Sequence, residues 1–579
     1  MRTPVPANTP RWVWVALGGL GLALAAAQVW WLAANDRPPM WDSALHLTHA
    51  LRFLDFFRHG DGGLTALLGL SPFYPPLFYL LLAPLLALRA GPDTATLIHW
   101  PFLAALLGSV FYLGRRATGR AEAGLLAAAL TAAWPHVVWL SRDLLIDLET
   151  VALTALIVAL AAATEGFSRR RLTVGLGIVF GLALLTKWTV LFYTAGPLAL
   201  LAVQVWRRAP DAAARRAAAD NVAWAAVAAA AVAWPWYLHR AGFLAAQFLP
   251  VTQGLGPVEG DPVVWSLAGW SYYLRALCGW HLFGPLFLVF LAAAAAALVR
   301  LARRRVGAPA AWSLALALVW VAVPYVVFTL LANKAPRHIS PVLPAVSLLI
   351  VSFVFGLERA WLRRTLAGAC AGIAAAQFLL LTFGCPFIPP RLQVAPASAD
   401  AFAERFLRDA PDGAPAASVR RWPDAWFLYQ QDAFEIWTPP RRENWRLAEI
   451  VQHIGEHPAP GRASLGLVPD APRFNVWSFR ATAALMKQEL AIWRISAFDP
   501  DGAAFQPYRW ILLADGNQGP VWNTTDNARL VAFVRQHPER FVLRRQWPLP
   551  GGATAWLYEH LQAKVPDDPN WPPFWPSKY

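Results

Sequence analysis

Long apolar runs separated by short polar loops fill the first two thirds of the chain. Starting with residues 12–34, runs of membrane length recur at about 95–114, 121–139, 149–165, 172–187, 190–206, 221–238, 281–300, 311–331, 341–357 and 365–383. Each approaches the roughly 20 apolar residues that an α-helix needs to cross a bilayer, so the pattern predicts about eleven spans. One further apolar stretch, "FYPPLFYLLLAPLLALRAG", is interrupted by Pro75, Pro76 and Pro84 and is too short between them to cross. Beyond about residue 384 the pattern changes. Short alternating runs ("ASLGLV", "LAIWRIS", "YRWILLAD", "RFVLRRQW") predict strands, and "NVWSFRATAALMKQE" and "DNARLVAFVRQH" predict helices. The expected architecture is a polytopic α-helical membrane domain, residues 1–383, followed by a soluble α/β domain, residues 384–579.

Charge orients this pattern. With eleven spans, Arg115/Arg116/Arg120, Arg169–Arg171, Arg207/Arg208/Arg215/Arg216, Arg303–Arg305 and Arg359/Arg363/Arg364 all fall on one side, which the positive-inside rule makes the cytoplasm. The N-terminus is then cytoplasmic and the C-terminal domain extracytoplasmic. The outer loops are 35–94, 140–148, the Thr186-Lys187-Trp188 turn, 239–280 and 332–340. A hydrophobic content of 57% with only 15% charged residues fits a membrane protein, since soluble chains carry about 25% charged residues. The net charge of +15 is dispersed over these clusters, so no basic face for nucleic acid is expected. The first run is too long for a signal-peptide core and reads as an uncleaved anchor. Cys278, Cys370 and Cys385 have no metal-binding spacing; Cys278 and Cys385 share the outer side, as two packed thiols or as a disulfide. No nucleotide-binding glycine loop and no internal repeat is present.

Four polar groups stand at outer span boundaries, where charge is costly unless solvated, paired or functional. In "PPMWDSALH", Asp42 precedes an amphipathic segment, 43–58, expected to lie along the membrane surface with His46 one turn on; helix N-capping by Asp42 is compatible with a chemical role. "SRDLLIDLET" gathers Arg142, Asp143, Asp147 and Glu149, as a site or as an Arg142–Asp ion pair that holds the loop. Lys187 is a lone cation in "LALLTKWTVLFY", either snorkelling or functional. "NKAPRHISPVLPA" places Lys334, Arg337 and His338 against the charge bias, which suggests an anionic ligand such as phosphate, the alternative being pairing with lipid headgroups.

Together these stretches resemble the GT-C integral-membrane glycosyltransferases, a group that includes protein O-mannosyltransferases, lipid A aminoarabinose transferases and lipopolysaccharide galacturonosyltransferases. The resemblance spans roughly residues 10–360 and rests on "WDSALH", "YPPLFYLL", the Arg-Arg turn followed by "SRDLLID", "LLTKW" and "RHISPVLP", in family order. Ser43 stands where the family usually has Glu, and His338 where Tyr is common.

The resemblance implies an inverting enzyme that moves a sugar from a polyprenyl-phosphate carrier to a lipid, glycan or protein acceptor at the outer face of a bacterial inner membrane. Asp42 would be the general base. Lys187, Arg337, Lys334 and His338 would stabilise the departing phosphate. Asp147 would orient sugar or acceptor, or fix Arg142; His46 would orient Asp42 or bind phosphate; Arg142 and Asp143 would support the loop. No cofactor is required, although a divalent cation shared by Asp42 and Asp147 is a variant of the scheme. Two other classes fit part of the pattern: a transporter or flippase of a lipid-linked anion, which would more often put its charges at mid-span within repeated halves, and a ligase using a polyprenyl-diphosphate donor. The sugar and the acceptor are not legible.

Overall fold

The computed structural model describes residues 9–60, 62–71, 73–258, 261–303, 307–384, 440–457, 463–515 and 521–566. The chain enters through α1 (Arg11–Ala34) and then builds the first outer loop from α2 (Trp41–His59), α3 (Gly63–Gly69), α4 (Leu77–Leu88) and α5 (Pro92–Thr96). The bundle continues with α6 (His99–Thr118), α7 (Ala121–Ala133), α8 (Pro135–Leu140), α9 (Asp147–Ala163), α10 (Arg170–Leu184), α11 (Val190–Arg208) and α12 (Ala212–Leu249). After α13 (Leu255–Val258) and α14 (Leu267–Ala276) it closes with α15 (Phe283–Ala302), α16 (Ala308–Leu330), α17 (Leu343–Phe355) and α18 (Ala360–Phe383).

All eleven expected runs are helical. Among the described residues, eight helical segments are long and apolar enough to cross a membrane. The other three expected runs hold the shorter helices α7, α9 and α10. The Pro-broken stretch forms α4, whose 12 residues span about 18 Å, short of the ~30 Å hydrocarbon core. The expected outer loop at 239–280 is largely helical, with α12 running on for 38 residues to Leu249 before Pro250. The segment 43–58 forms α2, whose apolar face is covered by protein between α4 and the C-terminal domain, with Leu47, Phe53 and Leu54 clustered with Phe78, Leu82 and Ala481. An apolar helix face satisfied by protein looks, in sequence, the same as one satisfied by lipid.

Small residues set the closest helix contact. Gly177 and Gly181 on α10 press against the backbone of α12 at Ala225 and Ala229, where a Cβ would collide. The described Arg-bearing turns gather at one end of the bundle: Arg115 donates to Thr9 Oγ1, and Arg300 Nη2 donates to Gly356 O at 3.2 Å.

Among its described residues the C-terminal domain has three α-helices, α19 (Leu447–Glu456), α20 (Val476–Leu485) and α21 (Val521–Gln536), around a five-stranded sheet. Its strands are β1 (Ser464–Leu467), β2 (Ala491–Arg494), β3 (Trp510–Ala514), β4 (Phe541–Pro548) and β5 (Thr554–His560), in the order β2-β1-β3-β5-β4. β1 pairs in parallel with β2 and β3; β5 runs antiparallel to β3 and β4. The four expected strands and two expected helices are present, while β5 and α19 were not anticipated. Cys385 lies outside the described residues, and Cys278 is a buried free thiol.

Candidate functional site

Asp42 sits in the first turn of α2, behind Met40 at the cap position, and makes no capping hydrogen bond. Its approach is fixed by the C-terminal domain. Trp41 N donates to Pro472 O at 3.1 Å, and Trp41 Nε1 lies 3.2 Å from Asp470 Oδ1. Arg473 Nη1 donates to Pro38 O at 2.6 Å and Ser478 Oγ to Pro39 O at 3.3 Å. The segment leading into Asp42 therefore has no free choice of path.

Arg337 comes from the far end of the sequence. Pro336 and Pro341 remove backbone donors and fix φ, so Pro336–Val342 winds as a tight 3-10 turn rather than extending α17. His281 bonds Pro336 O at 3.0 Å, Tyr193 OH donates to His338 O at 2.8 Å, and Ser340 Oγ donates to Arg337 O at 2.7 Å. So pinned, Arg337 Nη2 meets Asp42 Oδ2 at 2.5 Å, with the two side chains 29% and 34% exposed. This pair is open enough to receive another molecule.

The second ion pair is more enclosed. Lys187, in the turn between α10 and α11, donates from Nζ to Oδ1 of Asp147 at the start of α9, at 2.8 Å, with side-chain exposures of 12% and 7%. The turn is tied to the first outer loop by Leu77 N, which donates to Leu185 O at 3.0 Å. His46 lies within electrostatic reach of Asp42, Asp147, Arg337 and Lys187, and Asp42 within reach of Arg337 and Asp147. Burial pushes the Asp42 carboxyl up, but the attraction and hydrogen bond of Arg337 outweigh it and hold Asp42 below its usual value. Burial pulls His46 down to about 4 despite Asp42, so it stands neutral, with Nδ1 2.8 Å from Tyr79 OH.

The remaining candidates take other places. Arg142 does not pair with Asp147; its guanidinium reaches Leu381 O at 3.2 Å and Thr382 Oγ1. Asp143 accepts from Ser43 Oγ at 2.5 Å, so the residue after Asp42 is fixed by a carboxylate from the neighbouring loop. Lys334 points its ammonium at the end of α16, donating to Thr329 O and Leu331 O, each at 2.8 Å, which makes it a C-cap for that helix. Burial pulls it down to about 8, with Asp261 opposing. His338 packs on Phe328, and its Nδ1 has no hydrogen-bond partner among the described residues.

Three neighbours were not singled out from sequence. Tyr79 bonds His46, and the Tyr74 ring packs on His46 with centroids 4.9 Å apart. His99, fully buried, bonds Glu149 at 2.7 Å and Asp143 O at 2.9 Å, bracing the loop of Asp143 and Asp147. The aromatics flanking Pro75-Pro76 were the available signal; the His99–Glu149 pair had none, because its partners are 50 residues apart. Among the described residues no group of three or more His, Cys, Asp or Glu gathers as a metal site, and Asp42 and Asp147 each already face a cation.

No family model matches the chain, and no curated protein matches it. Solved structures do. ArnT from Cupriavidus metallidurans bound to undecaprenyl phosphate superposes with a TM-score of 0.55 at 15% identity, covering 96% of this chain and 100% of that one. The same protein in the apo state gives 0.52 at 16% identity, with 95% and 98% covered. Helical membrane bundle, helical first outer loop and C-terminal sheet domain together have the GT-C fold, the fold of an integral-membrane aminoarabinose transferase.

Proposed function

We propose that the chain is an inverting glycosyltransferase that takes a sugar from a polyprenyl-phosphate carrier and passes it to an acceptor at the outer face of a bacterial inner membrane. The observation that carries this reading is the open ion pair between Asp42 and Arg337, seated beside the Lys187–Asp147 pair at the end of the bundle opposite the arginine turns. The likeness to a structure holding undecaprenyl phosphate supports the donor class.

The geometry suggests how the parts act. An arriving phosphate competes with Asp42 for Arg337, because a guanidinium binds phosphate and carboxylate alike. Once Arg337 turns to the phosphate, Asp42 loses the partner that depressed its basicity and becomes a better acceptor for the proton of the attacking hydroxyl. Attack on the anomeric carbon from the face opposite the phosphate inverts it. The bond to the carrier oxygen breaks, and Arg337 and Lys187 stabilise the charge left on the phosphate. Lys334 and neutral His46 have no direct part in this step, and a divalent ion is not needed for it.

The test is transfer by purified protein given labelled polyprenyl-phosphate sugars and a lipid and glycan extract. Wild type releases polyprenyl phosphate and labels an acceptor, while Asp42→Asn, at equal folded yield, loses at least about 100-fold in rate, the usual worth of a general base. Undiminished transfer by the variant removes Asp42 as the base; donor left untouched by wild type across the panel removes the transferase reading.

A further inference from the structure

His99, at the start of α6, and Glu149, in the first turn of α9, are both fully buried. Their bond, Nδ1 to Oε1 at 2.7 Å, leaves Glu149 Oε2 buried with no hydrogen-bond partner among the described residues. The partners fix the proton count. A Glu149 carboxylate and Asp143 O, 2.9 Å from Nε2, are both acceptors, so the imidazole either holds two protons or takes its second bond from a protonated Glu149. Either way the pair is neutral as a whole. A buried pair of this kind stabilises a fold little more than apolar residues of the same volume, and an unanswered oxygen lowers its worth further. Stability does not account for it; what it holds does.

Both ring nitrogens lead to a helix that begins at a site carboxylate. Asp147 is the first residue of α9, and Glu149 follows two places on. Successive residues turn by about 100° around a helix, so these two point to nearly opposite sides, Asp147 to Lys187 and Glu149 to His99. Rotation of the first turn of α9 is therefore resisted from both sides.

From Nε2 the line continues through Asp143. Its carbonyl takes the bond from His99, and its Oδ1 accepts from Ser43 Oγ at 2.5 Å and from Leu144 N at 3.1 Å, whether or not the carboxyl is ionised. Ser43 is buried and follows Asp42 on α2. Trp41, held by Pro472 and Asp470 of the C-terminal domain, lies on the far side of the same turn, so Asp42 stands between two anchored neighbours.

We propose that His99 and Glu149 are positioning residues of the transfer reaction. This one buried pair sets the rotation of α9 through Glu149 and that of α2 through Asp143 and Ser43, and so the placement of Asp147 and Asp42 relative to each other. Neither residue touches the substrate. A displacement of about 1 Å from outside the reacting groups can cost about 100-fold in rate. This assignment rests on the reading of Asp42 as the base, and its test carries a readout that needs no transfer.

The test replaces both partners by apolar residues, His99→Phe with Glu149→Leu, in the full chain in nanodiscs, because removing one partner alone strands the other inside the bundle. The double variant melts near wild type, yet its kcat for sugar transfer falls about 10- to 100-fold with KM unchanged. Ser43→Ala lowers kcat through the same link, so adding it to the double variant costs no more than the larger of the two losses. Glu149→Gln, whose amide N–H can donate to Nδ1 while Nε2–H still serves Asp143 O, keeps most of the rate. Hydrogen–deuterium exchange in peptides covering 41–46 and 143–149 rises in the double variant. An unchanged kcat at equal melting temperature overturns the assignment, as do losses that multiply in the triple variant. Should the double variant not fold, Ser43→Ala takes its place, and unaltered kcat and exchange at 41–46 then overturn the link. If wild type transfers no sugar, the transferase reading falls and exchange decides alone: protection lost at 41–46 in the double variant upholds the placement of α2, and protection retained there overturns it.

Discussion

At the scale of single residues, the two ion pairs and the one buried ammonium make opposite demands on pH and on stability. The Asp42 carboxyl is held below its usual value because Arg337 outweighs burial. A depressed carboxylate adds stability that is present above its unfolded pKa and lost as pH falls through the lowered folded one, so this pair holds at neutral pH and fails only in strong acid. Replacing Arg337 with Gln removes the largest opposition to burial, and the acid limb of the kcat/KM profile moves to higher pH, on top of a large fall in rate. A profile that falls uniformly without shifting separates Arg337 from the ionisation of Asp42. Lys334 behaves otherwise. Lys334→Met strips Thr329 O and Leu331 O, at the C-terminal end of α16, of their donor and costs about 1–3 kcal/mol of stability, read from chemical or thermal denaturation, while transfer per folded molecule stays near wild type. Loss of transfer without loss of stability returns Lys334 to the phosphate.

At the scale of elements, hydropathy alone disclosed the helical runs, because in lipid every backbone group must be satisfied within its own helix and the apolar length is the signal. It also disclosed four of five strands. β5 escaped because Glu559 and His560 dilute its pattern, and its place between β3 and β4 depends on long-range pairing. The depth of α2 was hidden for the reason given by Ala481: the surface that covers it lies more than 400 residues away. The candidate site was legible as a set, since Asp42, Asp147, Lys187 and Arg337 share one end of the bundle. Its pairing was not: Lys187 rather than Arg142 meets Asp147, a choice made by how α9 and α10 pack. That packing depends on α10 approaching α12 without side chains between them. Gly181→Val sets a branched side chain against Ala229 O, 2.7 Å from the position of its Cβ, and against Val232. We expect a loss of about 1–3 kcal/mol from overpacking, with a lower melting temperature in detergent and a misplaced Lys187 turn. An unchanged melt means that the two helices separate freely there.

At the scale of the whole molecule, the separation of arginine turns from ion-paired centre is the property on which the proposed reaction depends. A polyprenyl carrier presents its phosphate at one leaflet, and a carboxylate at the wrong end of the bundle cannot reach it. The described arginine turns, from Arg115 through Arg169 and Arg207 to Arg359, join helices at one end, and Asp42, Asp147, Lys187 and Arg337 stand at helix junctions of the other. By the positive-inside rule the arginine end is the one expected to face the cytoplasm, because each turn is short. Two exposed positions report the two ends: Arg58, in the last turn of α2, and Arg216, in the first turns of α12. Single cysteines placed there, with Cys278, Cys370 and Cys385 replaced, are exposed to a membrane-impermeant maleimide on spheroplasts. Position 58 labels at once, and position 216 labels only after permeabilisation. The reverse result puts the ion-paired centre in the cytoplasm, where soluble nucleotide sugars are at hand and a lipid-linked donor has no advantage; the transferase reading would then lose its donor even if Asp42 proved to be a base.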